Sequence, residues 1–428
     1  MKIERSEISD FLPAPKITKV GEYLYTSTIY PIHDQSGVVS GNYNIGSLGP
    51  SDIEVQAEAC FDILSDYLKL FGSDFSKLIK VEVCLASEDD FIEFKNVWQQ
   101  RLSPFFPART TLVVGNTFPL PDCRISIDAI ALTSDSKIEL QYLNDDENEN
   151  NMTAECAPHA VRAGDLVFCS AFTATDFVNG LAVGKPHGFP NYGNDAEMQM
   201  EFICQRLNRV LSKVGTSLEN CVDSQLYETD LLNFHAVDGV TAKYMGVCPP
   251  RSSMGVKSLV VPGALCTPNL TVLIPNSNLE KTQSFEGLRW HPVSVRGVNF
   301  SPTMLAGDWR FFAGQIPTKD FKSYEGVPIG MQMSLSDIEK QTEFTMEILT
   351  EQLEAAQTNW ENCYQVRLYL TEPIRDFRIF SKVWKKLFPD VNKAPALAYV
   401  PSVQANGKTG IMFDGPLIEI DPSCIKRN

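Results

Sequence analysis

Arg109 and Arg251 stand in two versions of one phrase, "FPARTTLVV" at 106–114 and "PPRSSMGVKSLVV" at 249–261. A third version, "APALAYV" at 394–400, has no charge. A guanidinium is planar, permanently ionised and forked, so it pairs bidentately with a carboxylate. Two such arginines, each opening a strand-like run, have the residue chemistry to pair with a carboxylate, whether of a ligand or of the protein itself. In the third phrase the same place falls on Leu397, or on Ala396 if the gap is set differently, and the nearest cation is Lys393. An ammonium on a flexible stem does not reproduce the fork. That third place is therefore expected to be apolar or filled, with Leu397 and Tyr399 on one face of a strand.

Other chemistries find little support. The five histidines (His33, His159, His187, His235 and His291) have no ligand spacing such as HxxxH, and no metal site is expected. There is no glycine-rich phosphate loop after a strand and no GxSxG. The 11 cysteines are scattered without a CxxC, and Cys60, Cys84 and Cys204 sit in apolar patterns that suit core positions.

A net charge of −16, from 37 basic and 53 acidic residues with no basic run, argues against a nucleic-acid partner. No stretch approaches the ~18 consecutive apolar residues of a spanning helix. The start "MKIERSEISDF" has no apolar segment of signal-peptide length, and with the unpaired cysteine pattern this leads to the expectation of a cytoplasmic protein without membrane association.

The elements that must position the arginines come in triplicate. "GEYLYTSTI" at Gly21, "GDLVFCSAF" at Gly164 and "GDWRFFAGQI" at Gly307 each read as a Gly-acid turn and a strand, with starts 143 residues apart. Three amphipathic helical patterns follow, with Gln56, Gln199 and Gln341 in register. Each leads to a strand and a second helical pattern, in which Phe91, Phe234 and Phe377 again lie 143 apart. Each passage closes on the arginine phrase and a last strand, "RISIDAIAL", "NLTVLIP" or "PLIEIDPSCI". The reading is an α+β chain of three β-β-α-β-α-β-β domains at 1–138, 139–283 and 284–428. "YLNDDENENNMTAE" and "NSNLEKTQSFEGLRW" read as linkers, and "GKPHGFPNYGND" as a loop suited to a pocket mouth.

The Gly-initiated strand, the Gln-bearing helix, "PAR" and "RISIDAIAL" resemble the reactive intermediate deaminase family, also called Rid or YjgF, three times over. The resemblance implies chorismate-mutase-like domains, here joined into a monomeric intramolecular pseudo-trimer with small-molecule clefts between units. It further implies hydrolysis of a carboxylate-bearing enamine or imine, with no metal or organic cofactor. Carried over by position, Arg109 and Arg251 grip the carboxylate, with Thr111 and Ser253 beside them. The glutamate that handles water corresponds to Ser126, to Thr271 and to Glu419 in the three passages. Glu419 and Ser126 are the catalytic candidates, Glu419 lying opposite Ile418 and Ile420 on its strand in either a cleft or solvent. No passage holds both arginine and glutamate. A binding or scaffold protein that has lost catalysis is the alternative; ribonuclease-like activity is disfavoured by the acidic charge.

Overall fold

The computed structural model describes residues 1–32, 37–41, 49–146, 156–175, 180–181, 194–276, 279–288, 299–318, 320, 323–328, 337–404 and 410–427. The loop read in "GKPHGFPNYGND", up to its last two residues, and three histidines (His33, His187 and His291) fall outside them.

Three six-stranded sheets follow one another along the chain. The first holds β1 (Ile3–Arg5), β2 (Ile17–Val20), β3 (Tyr23–Thr26), β4 (Leu78–Leu85), β5 (Ala108–Val113) and β6 (Ile125–Leu132), in spatial order β1-β2-β3-β6-β4-β5, with helices α1 (Asp52–Lys69) and α2 (Asp90–Leu102). The second repeats this order with β7 (Leu140–Leu143), β8 (Ala160–Ala163), β9 (Leu166–Cys169), β10 (Cys221–Glu228), β11 (Arg251–Gly255) and β12 (Cys266–Leu273), and with α3 (Asp195–Ser212) and α4 (Phe234–Met245). The third has β13 (Lys281–Ser284), β14 (Thr303–Ala306), β15 (Trp309–Phe312), β16 (Cys363–Leu370), β17 (Ala396–Pro401) and β18 (Ile418–Ile425), with α5 (Ile338–Ala355) and α6 (Pro373–Leu387).

Each unit thus has one strand more than expected. The additions β1, β7 and β13 are only three or four residues long, too short to carry an alternation to read; they form by pairing with the open edge of the next hairpin. Both stretches read as linkers contribute such a strand, and the expected division at 283/284 runs through β13. The arginine strand and the last strand are not neighbours either, because β4 lies between β5 and β6, parallel to one and antiparallel to the other.

Local chemistry explains the elements. Ser51, Asn194 and Asp337 cap the long helices by accepting backbone N–H groups of the first turn. Gly21, Gly164 and Gly307 turn the β2–β3 hairpin and its counterparts at φ 58°, 62° and 57°, a region that side chains disfavour. Gln56, Gln199 and Gln341 are buried, and each bridges its helix to the start of the last strand by donating to one backbone carbonyl and accepting one backbone N–H. Ile53, Ala57, Cys60, Phe61, Leu64 and Leu68 recur at helical spacing and bury α1 on its sheet.

The helices cover one face of each sheet, and the opposite faces meet one another. Tyr23, Phe168, Trp309 and Tyr364 come from all three units into one buried cluster. The edge strands close the ring. β5 meets the segment after β9, where Ala171 N donates to Arg109 O at 3.0 Å; β17 meets the segment after β3, where Thr28 N donates to Leu397 O at 2.9 Å; Ser301 N donates to Pro249 O at 3.2 Å before β11.

Inside the ring the strands carry buried polar groups. Arg367 donates two hydrogen bonds to Glu82, at 2.6 and 2.7 Å, and Asn269 Nδ2 donates to the same carboxylate at 2.7 Å. Lys80 donates to Cys169 O at 2.7 Å and to Asn269. These side chains belong to three different units. All eleven cysteines are free and buried. Among the described residues no helix is long and apolar enough to cross a membrane, and no group of three potential ligands could hold a metal ion.

Candidate functional site in the clefts between units

Register identifies equivalent positions without reference to any outside protein. Val81, Ser224 and Val366 occupy the same place in the central strands, and their parallel partners are Arg109, Arg251 and Leu397. Cys84, Tyr227 and Tyr369 likewise pair with Ser126, Thr267 and Glu419. The second-unit counterpart of Glu419 is therefore Thr267 and not Thr271, which lies four residues further along β12, past the strand's centre. Each arginine position faces the last strand of the following unit, so the three clefts pair Arg109 with Thr267, Arg251 with Glu419, and Leu397 with Ser126.

The first cleft is a narrow pocket, with a cavity volume of only about 20 Å³, lined by Arg109, Thr111, Ser170, Phe172, Thr173 and Thr267 among others. Arg109 is only 4% exposed, and its guanidinium lies over Phe91 and Trp98, 5.3 and 5.0 Å from the ring centroids. These contacts orient the fork and exclude water from one side of it. The hydroxyls of Thr111 and Thr173 are buried with no hydrogen-bond partner among the described residues. A charged fork beside two unsatisfied hydroxyls fits a small polar anion. The hydroxyl of Thr267 donates to Phe172 O at 3.0 Å and supplies no proton-transfer group of useful pKa.

In the second cleft Arg251 begins β11 and lies over the Phe234 ring at 4.8 Å. It is ion-paired with Asp238 of α4, whose other oxygen accepts from Asn299 Nδ2 at 3.0 Å. Ser253 stands two residues on, its hydroxyl buried and without a partner among the described residues. From the third unit Glu419 projects against Ser252 and Gly314. A Cβ at 314 would fall 2.0 Å from Glu419 Oε1 and 2.4 Å from Ser252 Oγ, so only glycine leaves room for this carboxyl. Thr28 and Ala171 occupy the place of Gly314 in the other units, opposite the smaller Ser126 and Thr267.

The electrostatics of Glu419 follow from this position. Burial first, and then the neighbouring Asp421, push its carboxyl up to about 8, against the pull of the Ser252 hydroxyl and of Arg251. Ser252 Oγ donates to Asp421 Oδ2 at 2.8 Å. Burial and then Asp223 also push Asp421 up to about 8. One hydroxyl hydrogen cannot serve two carboxylates, so the chain Glu419–Ser252–Asp421 holds a further proton on one of its acids near neutral pH.

The third cleft is closed. Leu397 and Tyr399 are 0% and 1% exposed. Tyr399 packs on Phe377 at 5.4 Å, and Phe377 stacks on Phe11 of the first unit at 5.5 Å. Ser126 lies in this wall beside the Cys84 thiol. The arginine was lost together with the space it served.

The structure brings Arg251, Ser253 and Glu419 together, places Arg109 and Thr111 in a separate cavity, and leaves Ser126 without an arginine opposite. The sequence reading passed over Ser252, Gly314, Asp421 and Asp238. Asp421 had a signal, since it shares a strand face with Glu419; Asp238 had none, because only folding sets α4 beside β11.

Three one-sided α+β units closed into a ring, two of them with an arginine at the edge shared with the next unit, define a fused trimer. The family described as endoribonuclease L-PSP matches residues 17–133, 154–266 and 295–411. The chain belongs to this family, the YjgF/Rid proteins. Among curated proteins it is similar to mitochondrial protein mmf2 of Schizosaccharomyces pombe, 30% identical over 131 residues that make up 30% of this chain and 94% of the relative. It is also similar to the 2-iminobutanoate/2-iminopropanoate deaminase of Bos taurus, 31% identical over 104 residues, 23% of this chain and 74% of the relative. Solved structures that match include yeast Mmf1, at 22% identity and TM-score 0.25 over 31% of this chain and 95% of the other. A YjgF family member from Neisseria meningitidis matches at 16% identity and TM-score 0.26, over 32% and 98%.

Proposed function

We propose that the second cleft hydrolyses a small carboxylate-bearing enamine or imine to the keto acid and ammonia. The observation that supports this reading is the convergence of Arg251 and Glu419 across the boundary between units, although no single unit carries both. Arg251 holds the substrate carboxylate through the N–H groups that Asp238 does not use, with Ser253 as a further donor. Neutral Glu419 gives its proton to the enamine carbon or imine nitrogen, which makes the C=N carbon electrophilic. The resulting carboxylate then accepts a proton from the attacking water, and collapse of the carbinolamine expels ammonia. Turnover of 2-aminoacrylate, generated in place by a dehydratase, tests this reading; no acceleration over the spontaneous rate sinks it.

The non-catalytic reading is favoured by one observation, the ion pair that occupies part of Arg251. Under either reading the first cleft binds carboxylate without chemistry. Arg109→Ala is expected to weaken pyruvate binding there by about 30- to 100-fold, or ~2–3 kcal/mol, as a charge-assisted bidentate contact is lost. Calorimetry on the Arg251→Ala background isolates this cleft, and an unchanged affinity removes Arg109 from the site.

We propose too that the chain works as a monomer, because every arginine strand already meets a neighbouring unit of the same chain. Light scattering is expected to give 47.7 kDa. A mass of three chains overturns this. The cytoplasmic placement stays a proposal, checked by fractionation.

A further inference from the structure

One buried acid of the second unit takes no part in the chemistry above. Glu228 ends β10, is 0% exposed, and neither of its carboxyl oxygens has a hydrogen-bond partner among the described residues. Register sets it on the sheet face that carries Arg251 and Ser253. Ser224, Leu226 and Glu228 of β10 pair with Arg251, Ser253 and Gly255 of β11, and alternate residues of paired strands share a face.

The same place in the sister units is apolar. Leu85 pairs with Val113 and Leu370 with Pro401, and both leucines are fully buried. A buried carboxyl with no bonded oxygen is a liability that leucine avoids. The unit that carries it is the one whose arginine faces Glu419, which marks Glu228 as part of that cleft's function.

The charges around Glu228 come from each element packed on it. Arg251 lies on β11, Asp238 on α4 and Asp230 in the turn after β10. Cys266, its partner on β12, and Cys204 of α3 are thiols that burial pushes up, so they stay uncharged near neutral pH. The third unit contributes the amide of Gln404, which accepts from Leu231 N at 3.0 Å and passes over Gly255, where a Cβ would run into it. Burial pushes the Glu228 carboxyl up to about 8; Arg251 pulls against this, and Asp238 and Asp230 add to it. Arg251 thus has two acids of its own unit within electrostatic reach: Asp238, ion-paired with it, and Glu228, unbonded.

We propose that Glu228 is a positioning residue that acts through Arg251 and gates the second cleft. Neutral, it leaves the guanidinium's remaining N–H groups to a substrate carboxylate. Ionised, it sets a second negative charge against the guanidinium, in competition with the substrate's. This role rests on Arg251 as the carboxylate anchor of the cleft and adds what controls that anchor.

Calorimetry with pyruvate tests the gate. The parent protein carries Arg109→Ala, so that the second cleft alone is read, and Glu419→Gln, so that Glu419 does not titrate. It is expected to lose about 10-fold in affinity between pH 7 and pH 9, as Glu228 ionises and the competent fraction falls. Glu228→Gln on this parent is expected to bind about 5-fold more tightly than the parent at pH 9, a gain that a variant merely harmed in its packing does not show. Glu228→Leu, the residue of the sister units, is the second variant in case the amide disturbs the core, and is expected to show the same gain. Glu228→Asp keeps a carboxyl and is expected to keep the loss. Pyruvate binding that Arg251→Ala abolishes at pH 7, with no gain at pH 9 in the Gln or the Leu variant, overturns the gate and leaves the anchor standing. No binding to the parent at pH 7, or binding that Arg251→Ala leaves unaltered, removes the anchor and the gate with it.

Discussion

Glu419→Gln is expected to lower turnover of 2-aminoacrylate by about 10²–10³-fold with little change in KM, because the amide keeps the shape of the acid but can neither give nor take the proton. The wild-type kcat/KM should fall as pH rises through about 8, where the shared proton of Glu419 and Asp421 leaves. Stability carries the same signature. A carboxyl raised from 4.5 to about 8 by folding is protonated in the native state and ionised in the unfolded state between those values. Its contribution is therefore most favourable below pH 4.5 and declines as pH rises to about 8. The melting temperature of the wild type should drop across that window, and Glu419→Gln should flatten the drop. Full activity in the variant, or a flat wild-type profile through pH 9, rejects the acid role assigned to Glu419.

Arg367→Met is expected to destabilise the fold by about 3–5 kcal/mol, the largest loss from any single change proposed for this chain. Arg367 and Glu82 are 7% and 5% exposed and come from the third and first units. Removing the guanidinium strands the Glu82 carboxylate among Asp128, Asp223 and Asp421, three acids that burial already pushes upward. The double variant Glu82→Gln with Arg367→Met should recover part of the loss, since no carboxylate is left facing three acids, while the buried Lys80 ammonium keeps its hydrogen bonds to Cys169 O and Asn269. Urea unfolding measures both. A single-variant loss below 1 kcal/mol, or a double variant no more stable than the single, would falsify the view that this pair ties the units together.

Much of the architecture was legible because it depends on local periodicity. The helices declared themselves through apolar residues at three and four positions and through their caps, and the hairpins through glycines that reach positive φ. Repetition supplied what one unit alone would not: Phe91, Phe234 and Phe377 aligned the second helices before any contact was known. The outer strands β1, β7 and β13 were missed because three or four residues pair only where an edge is offered, and an edge is a tertiary object. The closure of the third cleft was legible, since Leu397 and Tyr399 announced bulk where a ligand would sit.

The sequence by itself determined three α+β units and the matched places of two arginines, for these rest on spacing along short runs. It could not assign partners across units. Glu419 looked unpaired because its arginine, Arg251, stands 168 positions earlier in another unit, and only the ring sets β11 against β18. The alternating polar residues of the central strands, Lys80, Glu82, Arg367 and Asp421, had the pattern of a solvent face. The same alternation serves a wet surface and a buried polar interface equally well. Which of the two it is depends on what covers the sheet, and here the sheets cover one another, so the charges become a dry, paired core.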